Sequence, residues 1–302
     1  MRVLTVRGVR IDNTFAEAFG MRATAVTITA DTARWARQAA MTMTGFATSV
    51  IGCGCEAGID RELTAKQTPD RRPGVRILLF GVSTAELQKQ LQARVAQCVL
   101  TSPGSACYAA IEGEEALRLG NALRYFGDGW QISKRFGAKH FWRIPVMDGE
   151  FVCEATTGLT KKAVGGGNLI IIGRTSKTTR VAAEAAAAAI ADVPDVIAPF
   201  PGGIARSGSK VGSKYKGVPA STNEAYCPTL RGAVKTSLDA DSGSVLEIVI
   251  DGLTSEAVAA GMRAGIAAIV KLGPKLGATR ISAGNYGGKL GPHHYHLRNL
   301  LP

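Results

Sequence analysis

"GVRILLFGVSTAELQKQLQARVAQCVL", residues 74–100, is answered later in the chain by "SVLEIVIDGLTSEAVAAGMRAGIAAIV", residues 244–270. Each opens on an aliphatic run, Val75 to Phe80 and Val245 to Ile250, that reads as a strand. Each continues through a hydroxyl pair, Ser83/Thr84 (with Glu86 following) or Thr254/Ser255, of the kind that caps a helix. In the helices that follow, Leu87, Leu91, Val95, Cys98 and Val99 share a face, and Val258, Met262, Ile266, Ile269 and Val270 recur at one constant displacement. The match predicts an internal duplication.

A second pair extends it. "ATAVTITADTARWARQAAMTMTGF", residues 23–46, reads as a strand, an Asp31 cap and a helix with Trp35, Ala39, Met43 and Phe46 inward. "NLIIIGRTSKTTRVAAEAAAAAI", residues 168–190, repeats the order of strand, Ser/Thr-rich cap and helix. Two β-α units per half, with antiparallel filler strands in "FWRIPV" and "GEFVCEA", suit an α/β (α+β) protein of two ferredoxin-like lobes with mixed sheets and helices on one face. The chain loosens at "GLTKKAVGGGN", near Gly158 to Gly167, so the lobes are expected at 1–160 and 161–302. A length of 302 residues also exceeds what one core fills comfortably.

The formal charge is +12, which draws anionic partners: nucleic acid, an acidic protein or a multiply anionic coenzyme. The N-terminus carries Arg2, Arg7 and Arg10 and fails as a signal peptide. The Ala-based run broken by Glu184 is too short and too weakly apolar to span a bilayer. A cytoplasmic protein bound to no membrane is the expectation. Six scattered cysteines lack paired C-x-x-C spacing, so they read as reduced thiols. "HHYH", residues 293–296, places His294 and His296 on one strand face; a polar strand edge explains them better than a metal site.

"SGSKVGSKYK", residues 207–216, follows the turn-rich "PFPGGIAR". Its glycines, Gly208 and Gly212, and its Ser213-Lys214-Tyr215 do not keep the G-x-x-x-x-G-K-[ST] spacing of a nucleotide phosphate loop, so ATP or GTP hydrolysis is rejected. The loop instead offers Lys210, Lys214 and Lys216 with the hydroxyls of Ser207, Ser209 and Ser213, a set suited to carboxylate or phosphate groups or simply to solvent.

Seven blocks in order, "DNTFAEAF" (12–19), "GFATSVIGCGCEAGID" (45–60), "TPDRRPG" (68–74), "PFPGGIARSGSKVGSKYK" (199–216), "ASTNEAYCPTL" (220–230), "EIVIDG" (247–252) and "ISAGNYGGKLG" (281–291), resemble the formylmethanofuran-tetrahydromethanopterin formyltransferases from residue 8 to the C-terminus. The resemblance implies two ferredoxin-like lobes, a homo-oligomer (dimer or tetramer) and an active site in a cleft near a subunit interface. It implies formyl transfer between the amine of methanofuran (or methylofuran) and N5 of tetrahydromethanopterin (or its dephospho form), with no prosthetic group and no metal. The excess of basic residues departs from the acidic archaeal members. It suggests the version from an aerobic methylotrophic bacterium, working with formyl hydrolase subunits on a furan coenzyme with a glutamate tail.

Acyl transfer between amines passes through a tetrahedral intermediate, which needs a group to meet the oxyanion. No G-x-S-x-G elbow offers a serine nucleophile, so direct transfer in a ternary complex is the simpler scheme. Glu247 in "VLEIVID" is the candidate acid: apolar neighbours Val245 and Val249 would raise its pKa, although alternation alone favours a solvated sheet face. The resemblance assigns the glutamate of this strand to the formyl oxyanion. Substrate-binding candidates are Asn13 and Glu17, read as a helix start that they either cap or extend into the cleft, Ser209, Lys210, Lys214, Tyr215, Lys216, Asn223 and Glu224. Asn285 and Tyr286, in "SAGNYGGKLG", offer a close backbone and a stacking ring, or an ordinary hairpin. The rival readings are a basic RNA-binding module of the same fold and an inactive scaffold subunit. No [KR]-G-[FY]-[GA]-[FY] window supports the first, and aromatics total 6%.

Overall fold

The computed structural model describes residues 4–113 and 115–302. The chain divides into two compact units, one of Met21–Ala163 and one of the described residues up to Gly20 with Val164–Pro302. Two short strands, β1 (Leu4–Val6) and β2 (Val9–Ile11), precede the long β3 (Phe15–Thr29).

Within Met21–Ala163, β3 is followed by α1 (Ala33–Thr44), the single turn α2 (Val50–Cys53), β4 (Glu56–Leu63) and β5 (Gly74–Gly81). Then come α3 (Thr84–Arg94), which runs on as a π-helical turn through Val95–Val99, and β6 (Ala106–Ala109). Antiparallel pairing sets the order β4-β5-β3-β6, the split β-α-β arrangement expected. Ser83 Oγ accepts the amide of Glu86 at 3.2 Å and starts α3. Leu87, Leu91, Val95 and Val99 are then fully buried with Ile77, Leu79 and Ile28 of the sheet. The remainder is β7 (Glu115–Arg118), the turn α4 (Gly120–Leu123) and a meander of β8 (Ile132–Phe136), β9 (Lys139–Val146) and β10 (Gly149–Glu154), with β10 lying parallel to β6.

Helix α1 buries Ala39 and Met43 as the sequence suggested, but neither Trp35 nor Phe46. Its cap is Thr32, whose Oγ1 accepts the amide of Trp35 at 3.3 Å, while Asp31 takes the Arg72 guanidinium at 2.9 Å. Ala36, Ala39, Ala40 and Met43 are buried, whereas Trp35 is 39% and Phe46 79% exposed. A stripe of alanines lets the helix approach the sheet closely, and Phe46 lies past the helix end at φ 51°, outside that stripe.

The other unit repeats the plan. From Val164 onward β11 (Thr156–Gly173) leads to α5 (Ser176–Ala191), β12 (Val196–Ile197), a long excursion holding the hairpin β13 (Lys210–Val211) and β14 (Ala220–Ser221), then β15 (Ser244–Gly252), α6 (Ser255–Leu276) and β16 (Arg280–Ser282). The order is β12-β15-β11-β16, again antiparallel throughout. β16 takes β2 in parallel, as β6 takes β10, and Arg280 clasps Asp12 at 2.6 Å. β17 (His293–His296) pairs with Phe15 to Ala18. These bonds tie the described residues up to Gly20 to Val164–Pro302 rather than to the stretch that follows them in sequence.

By length and composition α6 would suffice to cross a bilayer, a possibility its sequence pattern did not raise. Its stripe of Val258, Met262, Ile266, Ile269 and Val270 is buried against β11 and β15, as in the core helix of a duplicated lobe. Its backbone breaks at Gly273 (φ 68°), just before Pro274.

Candidate active site

Glu247 sits in the middle of β15, opposite Ile170 of β11, and is buried with only 7% exposure. The solvated-face alternative is therefore excluded. The reason is the excursion after β12. Ala205 adds itself to the strand edge, its amide on the Glu247 carbonyl (2.8 Å) and its carbonyl on the Glu247 amide (2.9 Å). The chain then turns at Gly208, whose φ of 78° and close approach to the Asn223 amide leave no room for a side chain. That turn delivers Ser209, whose Oγ donates to Glu247 Oε1 at 2.7 Å. From β11, Asn168 Nδ2 donates to the same oxygen at 3.2 Å. Burial pushes the Glu247 carboxyl above its ordinary pKa, and the two donors only partly offset this. Glu247 opens on a pocket also lined by Ile170, Arg206, Asn223, Tyr226 and Cys227.

A second carboxylate shapes the site from below. "DNTFAEAF" is a turn followed by a strand, not a helix start: Phe15 to Ala18 pair with β17, and the side chains alternate across the sheet. Asn13 lies exposed in that turn. Glu17 is 2% exposed and accepts four backbone amides, from Tyr286 (2.6 Å) and Gly288 (2.8 Å) on Oε2 and from Leu290 (2.6 Å) and Gly291 (2.8 Å) on Oε1. Burial would raise its pKa, but these four donors hold it down at about 2. Gly291 passes so near the Ala18 carbonyl, 2.3 Å from where a Cβ would stand, that only glycine fits. Glu17 therefore holds the "NYGGKLG" loop in place. Asn285 fastens the loop's start, donating to Thr14 Oγ1 (3.0 Å) and the Phe15 carbonyl (3.1 Å). Tyr286 reaches across, its hydroxyl donating to the Ser209 carbonyl at 3.3 Å. One continuous set of contacts thus runs from Glu17 through Tyr286 and Ser209 to Glu247.

The lysine loop is a hairpin rather than an unstructured basic run. Lys210 pairs in register with Ser221 and its Nζ lies 2.5 Å from Glu224 Oε2, so that lysine is already neutralised. The bond to Lys210 lowers the Glu224 pKa. Lys214, Tyr215 and Lys216 stand exposed at the tip, with Tyr215 77% exposed. The structure brings Ser209, Asn223 and Tyr286 to Glu247 and leaves the tip residues and Asn13 apart from it. Asn168 was not among the residues the sequence singled out, although an asparagine heading the apolar run "NLIIIG" is itself a signal of a polar demand inside a sheet.

His294 and His296 both lie against the Phe15 ring, and His294 Nε2 meets the Gly291 carbonyl at 3.0 Å. Among the described residues no group of three or more His, Cys, Asp or Glu is placed to hold a metal ion. All six cysteines are free.

A buried carboxyl whose pKa is raised by burial, set against a pocket and braced by hydroxyl and amide donors, suits a group transferase that must meet a developing oxyanion. Comparison with known proteins gives that class its particular member. The chain belongs to the formylmethanofuran-tetrahydromethanopterin formyltransferase family, whose model matches residues 4–146, with the family's proximal lobe matching residues 149–300. It is 59% identical to the formylmethanofuran-tetrahydromethanopterin formyltransferase of Methylococcus capsulatus over 99% of this chain and 100% of that protein. One subunit of the formyltransferase/hydrolase complex of Methylorubrum extorquens is 55% identical over 100% of this chain and 98% of that protein. The crystal structure of that complex with methylofuran includes a polypeptide that superposes with a TM-score of 0.97, covering 100% of this chain and 99% of its own. The Methanosarcina barkeri formyltransferase superposes with a TM-score of 0.92 at 43% identity, covering 98% of this chain and 100% of that one. The protein is a transferase of one-carbon metabolism with a duplicated α+β fold.

Proposed function

We propose that the protein moves a formyl group between N5 of tetrahydromethanopterin and the amine of methanofuran or methylofuran, both coenzymes bound together, with Glu247 as the acid. The observation that carries this reading is the burial of Glu247 beside a pocket, which raises its carboxyl pKa and so favours the protonated form. The accepting nitrogen attacks the formyl carbon and the C=O pair moves onto oxygen, where the Glu247 O–H donates to it. As the pair returns, the bond to the leaving nitrogen breaks. The proton released by the attacking nitrogen ends on the leaving one, and Glu247 is regenerated, so no covalent enzyme intermediate is needed.

The relatives in methylotrophs and the net charge of +12 favour flow of the formyl group from pterin to furan coenzyme during formaldehyde oxidation in the cytoplasm. The name of the Methylorubrum extorquens relative supports work in a complex with formyl hydrolase subunits, and the chain is further proposed to form a homo-oligomer, dimer or tetramer. The substrate-side residues are Ser209, Asn223 and Tyr286 around Glu247, with Lys214 and Lys216 meeting anionic parts of the coenzymes.

The test is formyl transfer from formylated pterin to the furan coenzyme by the purified chain, alone and with hydrolase subunits, beside Glu247→Gln. Turnover in the wild type with kcat lower by roughly 100-fold in the variant is the expected outcome. Equal turnover removes Glu247 from the mechanism, and no turnover in any assembly returns the chain to a scaffold role.

A further inference from the structure

The contacts around Glu247 distinguish its two oxygens. Gly284 N donates to Asn168 Oδ1 at 2.8 Å. A backbone amide can only donate, so this bond fixes which end of the Asn168 amide is oxygen. The nitrogen end, Nδ2, must then face Glu247 Oε1 as a donor. Ser209 Oγ approaches the same oxygen at 2.7 Å. A carboxyl oxygen already receiving an amide N–H cannot hold its own proton on that side without two hydrogens meeting. With Ser209 Oγ donating from its other side, Oε1 has no in-plane lone pair left for a proton and acts as the carbonyl oxygen whenever the acid is neutral. Among the described residues, Oε2 has no hydrogen-bond partner, although the side chain is buried and lines the pocket.

We propose that Asn168, together with Ser209, confines the Glu247 proton to Oε2, so that the acid always presents its O–H, and never its carbonyl oxygen, to the reacting formyl group. The assignment rests on Glu247 being the acid of the reaction. It makes Asn168 a positioning residue, acting through Glu247 and through Gly284 at the head of the loop that carries Tyr286. Without the Asn168 donor the carboxyl can rotate or move its proton to Oε1, and half of its orientations then present the wrong atom.

Asn168→Asp separates the two bonds that Asn168 makes. It keeps the shape of the side chain and an acceptor for Gly284 N–H, and it loses the donor to Glu247 once ionised. Two readouts are required. The first is the infrared C=O stretch of protonated Glu247, identified by its loss in Glu247→Gln. A carbonyl oxygen relieved of a donor absorbs at higher wavenumber, so the band should move up in Asn168→Ala and again in Ser209→Ala. The second is the pH profile of formyl transfer: in Asn168→Asp, kcat should fall by roughly 10- to 100-fold on the alkaline side, KM should change little, and the descending limb should move to lower pH.

A band unmoved in both donor variants, with Glu247→Gln inactive and the wild type active, overturns the proton assignment while leaving Glu247 as the acid. A wild-type pH profile in Asn168→Asp likewise overturns the role of Asn168. If Glu247→Gln itself retains full activity, the failure belongs to the underlying function. Should Asn168→Ala fail to fold, the Ser209→Ala band and the Asn168→Asp profile still decide.

Discussion

The carboxylate of Glu17 receives the amide of Tyr286 at 2.6 Å, so a strand residue near the N-terminus fixes a ring whose hydroxyl touches the Ser209 carbonyl far away in sequence. The loop from Asn285 to Gly291 is therefore placed by one anion and not by a core of its own.

Acid should loosen that loop first. Glu17 is held at a pKa of about 2, against about 4.3 for a free glutamate, so the folded state binds fewer protons there than the unfolded chain. Its contribution is present above the unfolded value and is lost as pH falls from about 4.3 toward 2. Glu17→Gln can accept only on its single oxygen and should melt earlier than wild type at pH 7. The gap in Tm should close as the pH approaches 2; a gap independent of pH would show that shape, not charge, is what matters at Glu17.

Glu247 carries the opposite sign. Its folded pKa is raised, so the stability it contributes is complete below the free glutamate range and is lost as pH rises through the folded value. The Tm of Glu247→Gln relative to wild type should increase with pH. In the same range kcat of the wild type should decline as the acid loses its proton, and this limb should be missing from the residual activity of Glu247→Gln. Parallel kcat profiles would mean that another group titrates.

Charge at the hairpin is unequal among its lysines. Lys210 is paired with Glu224, whereas Lys214 and Lys216 are exposed at the tip. Replacing both Lys214 and Lys216 by Ala should raise KM for an anionic coenzyme about two- to fivefold at low ionic strength, with kcat nearly unchanged. The effect should shrink as salt rises to physiological strength, where exposed charges more than about 8 Å apart are screened. A KM for the furan coenzyme that ignores both salt and the substitutions would refute steering by this tip.

The duplicated helices predict equal costs in the two cores. Leu87 and Met262 are both fully buried, one in each unit. Leu87→Ala and Met262→Ala should each destabilise by about 2–5 kcal/mol, measured by denaturant unfolding. Leu87→Ala should leave the kcat of the folded fraction intact, because it touches nothing near Glu247.

The long elements were legible because their periods are strong. β5 with α3 and β15 with α6 both begin at hydroxyl caps and bury the stripes that their spacing announced. What stayed hidden depends on partners remote in sequence. β12 is two residues and β16 three, too short to carry a pattern of their own. The alternation of Phe15, Glu17 and Phe19 with Ala16 and Ala18 was a strand signal, but the alanines and acidic residue also suit a helix, and only pairing with β17 decides. Glu247 was found from its apolar neighbours. Of its brace, Ser209 and Tyr286 were named only as substrate-binding candidates and Asn168 not at all, because the three converge from stretches with no common spacing.

The repeat also exposes what duplication made available. Gly81 packs on Leu87 as Gly252 packs on Val258, which equates Arg76 of β5 with Glu247 of β15 and Ala25 of β3 with Asn168 of β11. In one copy the position is sealed by an ion pair, with Arg76 Nη1 2.8 Å from a wholly buried Asp60 carboxylate. In the other copy it holds the buried Glu247 carboxyl, whose pKa burial raises. Two copies of one sheet have diverged at this position, one keeping it as mortar and the other, under the proposed function, turning it into a tool. The cost of burying a lone acid at this position is thus confined to one copy, while the ion pair seals the same position in the other.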